Sequence, residues 1–120
     1  MGLDTYASNR PDDVALTPEQ TRAFEEADID VCGGVLSGRG GSFRGKVYFN
    51  IIIDVTGVGL YEDWIPPETV REMYRALAVC DPEKVAAESD VYEVSPQEII
   101  GLRRFFKVCA EHDLGLIGWW

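Results

Sequence analysis

One helix-start signal, repeated four times in a chain of 120 residues, constrains the fold most. The stretches TPEQ from Thr17 and SPQE from Ser95 each place a hydroxyl residue, then proline, then Gln or Glu three residues after the hydroxyl. Such a hydroxyl accepts a first-turn N–H, while the Gln or Glu side chain bonds back to the cap. Proline suits the first helical position because its missing N–H would have no partner there. Asp81 with Pro82, and Pro66 with Pro67, give shorter versions, so the sequence predicts four helix starts.

Two of these helices carry an apolar stripe at helical spacing, which predicts that each packs one face on a common core. The first stripe is Val70, Met73, Tyr74 and Leu77, and the second is Ile99, Leu102, Phe106 and Cys109. We expect Arg103, Arg104 and Lys107 on the polar side of the last helix and Gly115 as its C-terminal stop.

The segment 46–56 fits two patterns. Its odd positions are all apolar, and its β-branched residues favour a strand. As a helix, Lys46, Asn50 and Asp54 form one polar stripe, with Ser42 as a candidate cap and Gly57 as a stop. These boundaries favour the helix, and the strand stays an alternative.

Both ends of the chain have sequence features of short strands. GLDTYAS alternates near the start, and LGLIGWW closes the sequence. Because neither is stable alone, we expect them to pair as a small antiparallel sheet that covers part of Trp119 and Trp120. The predicted fold is therefore α+β, mostly helical, in a single domain spanning residues 1–120.

Composition limits the function classes. The net charge of −10 argues against general nucleic-acid binding, which needs a basic surface. The chain holds no apolar run long enough to span a bilayer, and its start lacks the pattern of a secretion signal. Three cysteines far apart, with no C-x-x-C pair, fit a reducing compartment. We expect a cytoplasmic protein with no membrane contact and no cofactor.

The stretch GRGGSFRGK contains the G-x-x-x-x-G-K outline of a phosphate-binding loop. Val47 stands where the magnesium-binding hydroxyl belongs, and Asp54 follows Lys46 too closely to end a neighbouring parallel strand. We therefore reject a nucleotide triphosphatase. A weaker alternative is an anion-binding site at Arg39, Ser42, Arg44 and Lys46, the one basic region of the chain. Ion pairing of these bases with nearby acids is the simpler interpretation.

Other candidates are few. Cys109 and the lone His112 share a helix face, but a core cysteine and a helix-end histidine explain them better, so we assign no catalytic or metal-binding residue. Tyr61 and Trp64 flank the acids Glu62 and Asp63 just before Pro66 and are candidate partner-binding residues. Packing at a helix junction is the simpler interpretation for them.

The blocks MGLDTY, SFRGKVY and TGVGLYEDWIPPETV, within residues 1–75, resemble a set of small bacterial proteins that carry no assigned function. The resemblance implies no activity and no site, and it supports the helix over 43–56. We therefore expect a non-enzymatic protein-interaction or binding module. The alternatives are an anion- or nucleotide-binding protein that uses loop 38–47, and an acidic nucleic-acid mimic that occupies a partner's basic groove.

Overall fold

The computed structural model describes residues 3–12, 16–29, 31, 41–89 and 93–120. Within them the chain is α+β, as expected, with five helices and a three-stranded antiparallel sheet. In chain order the elements are β1 (Asp4–Ser8), α1 (Pro18–Glu26), β2 (Ser42–Arg44), α2 (Gly45–Thr56), α3 (Pro67–Val79), α4 (Pro82–Ala87), α5 (Pro96–Glu111) and β3 (Gly115–Trp119).

All four predicted helix starts are confirmed. Thr17 and Ser95 each form a complete capping box at the start of α1 and α5. In the second box the Ser95 N–H donates to Glu98 at 2.7 Å, and the Glu98 N–H donates to the Ser95 hydroxyl at 3.3 Å. Asp81 accepts two first-turn N–H groups of α4, and Pro66 is the N-cap of α3. Local chemistry thus determines where these helices begin.

The predicted pairing of the two chain ends is also confirmed. The sheet has the order β2-β1-β3, and β1 pairs with β3 from Asp4 opposite Trp119 to Ser8 opposite Gly115. Leu3, Thr5 and Ala7 are buried, whereas Asp4 is exposed, which follows the alternation of the sequence. Both terminal tryptophans are partly covered, Trp120 more than Trp119.

One hydrophobic core joins the helices to the sheet, with α5 packed against α1, α3 and α4. Phe105 of α5 lies 4.9 Å from the ring of Phe43 in β2 and 5.0 Å from that of Phe24 in α1. Both predicted stripes face this core, although Tyr74 is only half-buried. Truncating a fully buried phenylalanine such as Phe43 to alanine costs about 3–5 kcal/mol in comparable cores.

The helix predicted over 46–56 is confirmed as α2, and its stripe of Lys46, Asn50 and Asp54 is exposed. Gly57 ends it with a left-handed φ of 78°, as predicted. The capping role of Ser42 is wrong, because Ser42 lies in β2 and Arg44 is the N-cap, without a side-chain cap bond. The first-turn N–H of Lys46 instead donates to the Leu3 carbonyl at 3.3 Å, so the residue that precedes β1 takes over part of the cap's role.

The stop predicted at Gly115 is wrong as well. Helix α5 ends at Glu111, four residues earlier, and His112 is its C-cap. Asp113 then takes the left-handed conformation, with φ of 56°. Aspartate tolerates this region better than most residues, so the turn needs no glycine. Gly115 is thereby left to begin β3.

Candidate partner-binding surface

Residues 60–65 cross the outer edge of β3 and form the base of the candidate site. Ile65 and Leu116 exchange backbone hydrogen bonds of 2.8 and 2.9 Å, and the Gly118 N–H donates to the Glu62 carbonyl at 2.9 Å. Leu60 and Ile65 are buried at the two ends of this segment. The backbone around Tyr61 is therefore fixed on both sides.

Two glycines of β3 permit this close crossing. A Cβ at Gly118 would lie 2.6 Å from the Leu60 carbonyl oxygen and 2.7 Å from that of Glu62. A Cβ at Gly115 would lie 2.5 Å from the Ile65 carbonyl oxygen and closer still to the ring of Trp64. Since real Cβ atoms essentially never approach other atoms below 3.0 Å, the segment lies here only because β3 has no side chain at these positions.

Above this crossing, the side chains of α2, the segment and the C-terminus form an exposed aromatic cluster. The Tyr61 ring lies 5.0 Å from Phe49 and 5.4 Å from Trp120, at interplanar angles of 73° and 70°. Ile53, one turn after Phe49, extends the cluster along α2 past Gly59. Tyr61 and Ile53 are each 39% exposed, and Trp120 is 50% exposed. We name Phe49, Ile53, Tyr61 and Trp120 the aromatic surface.

The two predicted partner-binding residues therefore have different environments. Tyr61 is exposed at the centre of the aromatic surface, whereas Trp64 is half-buried against Gly115. Trp64 thus covers the sheet edge, in line with the simpler interpretation of its sequence. The sequence does not identify Phe49, Ile53 and Trp120 as members of a site. Its patterns place Phe49 and Ile53 on a helix and Trp120 in the sheet, but they do not show that these elements meet.

Carboxylates border the aromatic surface. Glu62 and Asp63 follow Tyr61 directly, whereas Asp54 on α2 lies beside Val85 of α4, away from the aromatic surface. All three are exposed, and none has an ion-pair partner within the described part of the chain. Lys46, one turn before Phe49, is the basic residue of α2. The border is therefore net negative.

The predicted anion-binding residues are only partly brought together. Arg39 lies outside the described residues, and Ser42 is buried in β2. The Arg44 guanidinium lies 3.4 Å from the carboxylate of Asp4, which offsets its charge. Lys46 is exposed, with no ion pair among the residues described. The anion site stays a prediction, and titration with inorganic phosphate followed by NMR tests it.

The remaining chemistry-bearing residues form no site in the described chain. Lys46 and Asp54 lie on the same helix, α2, so Asp54 does not end a strand. Burial raises the pKa of the Cys109 thiol far above its ordinary value, which keeps the thiol protonated and unreactive at neutral pH. The Cys80 thiol donates to the Leu77 carbonyl at 3.2 Å, and Cys32 lies outside the described residues. Among the described residues, no cluster of histidine, cysteine or carboxylate side chains could hold a metal ion, and no helix could cross a membrane.

Comparisons with protein-family models, with curated protein sequences and with solved structures gave no match.

Proposed function

We propose that this protein is a non-enzymatic interaction module that binds another protein through the aromatic surface. The observation that carries the proposal is the cluster of Tyr61 and Trp120, which pack on each other yet keep 39% and 50% of their area exposed. Tyrosine and tryptophan supply most of the binding energy at many protein interfaces, because they bury a large area with few rotatable bonds.

The rigidity of the site supports the same function. Tyr61 lies between Leu60, which is fully buried, and Glu62, whose carbonyl bonds to β3. Its ring is held from two sides by Phe49 and Trp120. A side chain fixed before binding loses little conformational entropy in the complex, so more of its contact energy appears as affinity. An aromatic anchor of this kind contributes about 2 kcal/mol or more when its partner covers it.

Differential capture tests the proposal. Wild-type protein and the variants Tyr61→Ala, Trp120→Ala and Trp119→Ala are immobilised and exposed to native extract of the source organism. Trp119 is the matched control: it is 69% exposed, and among the described residues its ring makes no contact with the rings of the aromatic surface. We expect a partner that wild type and Trp119→Ala retain and that the other two variants lose.

Folding of each variant is verified by far-UV circular dichroism before capture. Hydrogen exchange of the isolated complex then locates the protected backbone, which we expect at residues 49–53 and 60–62. If all variants capture the same proteins, or if Trp119→Ala loses the partner as fully as Tyr61→Ala does, the aromatic surface is not the docking site.

A further inference from the structure

We infer that the partner presents a basic segment, and that an arginine side chain of this segment packs against the exposed rings of Tyr61 and Trp120. This inference rests on the proposed function and names the chemistry of its partner. It depends on two observations: the exposed aromatic rings, and the exposed carboxylates of Glu62 and Asp63 next to Tyr61, which lack ion-pair partners in the described chain.

The rings provide the stacking platform. A guanidinium group held over a tryptophan or tyrosine ring is attracted by the negative ring face, and arginine does this more often than lysine. The packing of Tyr61 on Trp120, at 70° between the ring planes, leaves much of both side chains open to solvent. A planar cation can therefore cover apolar area and gain the electrostatic attraction together.

The carboxylates select for positive charge. Glu62 and Asp63 follow Tyr61 in the exposed segment, and Lys46 is the one basic residue of α2. Charges at the rim of an interface mainly steer association and exclude partners of like charge. An acidic segment would be repelled here, whereas an arginine-rich one would find counter-ions next to Tyr61.

A second copy of the chain fits the surface poorly. Each copy carries a net charge of −10, and a symmetric contact through the aromatic surface would bring two sets of these carboxylates together. The charge pattern therefore favours a different, basic partner over self-association.

Three probe peptides on one frame test the inference with the full chain. They are the acetylated and amidated peptides (Arg-Leu-Ser)4, (Lys-Leu-Ser)4 and the neutral citrulline version of the first. Dissociation constants are measured by NMR titration, with the Trp120 indole N–H and the Tyr61 amide as reporters. We expect the arginine peptide to bind about threefold more tightly than the lysine peptide and at least about tenfold more tightly than the citrulline peptide.

Matched variants separate stacking from charge attraction. Tyr61→Leu and Trp120→Leu keep apolar bulk but remove the ring faces, so we expect each to lose the preference for arginine over lysine. Trp119→Leu should keep that preference and bind within about twofold of wild type. Raising the salt from 0.05 to 0.3 M should weaken binding of both charged peptides, while the arginine preference persists.

Several results would overturn the inference. Equal binding of the arginine and citrulline peptides would show that charge does not select the partner. Equal binding to wild type and both ring variants would indicate attraction by the acidic body alone, as in nucleic-acid mimicry. A dimer in sedimentation that Tyr61→Leu dissociates would make a second copy the occupant. If the arginine peptide fails to bind while the captured partner still depends on Tyr61, the inference fails and the proposed function stands.

Discussion

Substitution of Gly118 tests most directly whether the close approach of segment 60–65 to β3 depends on this glycine. Replacing Gly118 with alanine adds one methyl group that would meet the carbonyl oxygens of Leu60 and Glu62 at 2.6 and 2.7 Å. Neither atom belongs to a flexible side chain, so the backbone of the crossing segment has to move by roughly half an ångström to restore normal contact. That movement also strains the 2.9 Å hydrogen bond from the Gly118 N–H to Glu62.

The expected cost follows from these terms. Overpacking a tight position costs about 1–3 kcal/mol, and a weakened backbone hydrogen bond adds about 1 kcal/mol. Alanine restores about 0.4–1 kcal/mol by restricting the unfolded chain. We therefore expect Gly118→Ala to lower the free energy of unfolding by about 2 kcal/mol.

Gly59→Ala is the matched control, since a Cβ there meets Phe49 at 3.4 Å and Ile53 at 3.8 Å, both ordinary contacts. It should be neutral or slightly stabilising, so the two variants should differ by about 2–3 kcal/mol. Urea unfolding followed by tryptophan fluorescence measures this difference, and the indole N–H resonance of Trp120 reports the displacement of Tyr61. Variants that agree within about 0.5 kcal/mol would refute the role given to Gly118.

Three further predictions concern the rest of the fold. Arg103 donates to the Leu77 and Cys80 carbonyls at 2.9 and 2.8 Å, so Arg103→Met should cost about 2 kcal/mol in urea unfolding, whereas Lys107→Met on the same helix should cost less than about 0.5 kcal/mol. Equal losses would show that these two hydrogen bonds of Arg103 do not stabilise the fold. The buried Thr5 hydroxyl has no hydrogen-bond partner among the described residues, so Thr5→Val should raise the free energy of unfolding by about 1 kcal/mol, and a loss would contradict this. Because burial raises the pKa of the Cys109 thiol, iodoacetamide at pH 8 should modify Cys80 well before Cys109 in the folded protein, and peptide mass mapping that finds equal rates would disprove it.

Most of the fold could be predicted because its signals are local. The starts of α1, α4 and α5 depend on a few consecutive residues, such as Ser95 to Glu98, whose side chains bond to the first turn of their own helix. The start of α2 does not follow this rule: Arg44 ends a strand, and the Leu3 carbonyl accepts the Lys46 N–H from across the sheet. A contact between residues 43 apart in sequence leaves no trace in the local pattern, so the sequence predicts Ser42 as the cap instead.

The polar face of α5 shows the same limit. Spacing assigns Arg103 to this face together with Arg104 and Lys107, but it cannot tell a solvated cation from one that bonds to another helix. The structure places the Arg103 guanidinium on the last carbonyls of α3, a helix with no basic residue in its own last turn. The predicted helix face of Arg103 is correct. Its hydrogen bonds depend on how α5 packs against α3, which the sequence pattern does not show.

The aromatic surface depends both on a local sequence pattern and on a contact between distant residues. Tyr61 could be singled out, because an aromatic residue next to two acids and shortly before a rigid Pro-Pro pair is a local pattern. Trp120 could not be joined to it, since the two lie 59 positions apart in sequence and only the pairing of β3 with segment 60–65 brings their ring centroids to 5.4 Å. The sequence feature that indicates this contact is the stretch LGLIGWW, where Gly115 and Gly118 lower the strand propensity. Glycine inside a strand often marks the close approach of another backbone, and here that backbone carries Tyr61 to Trp120.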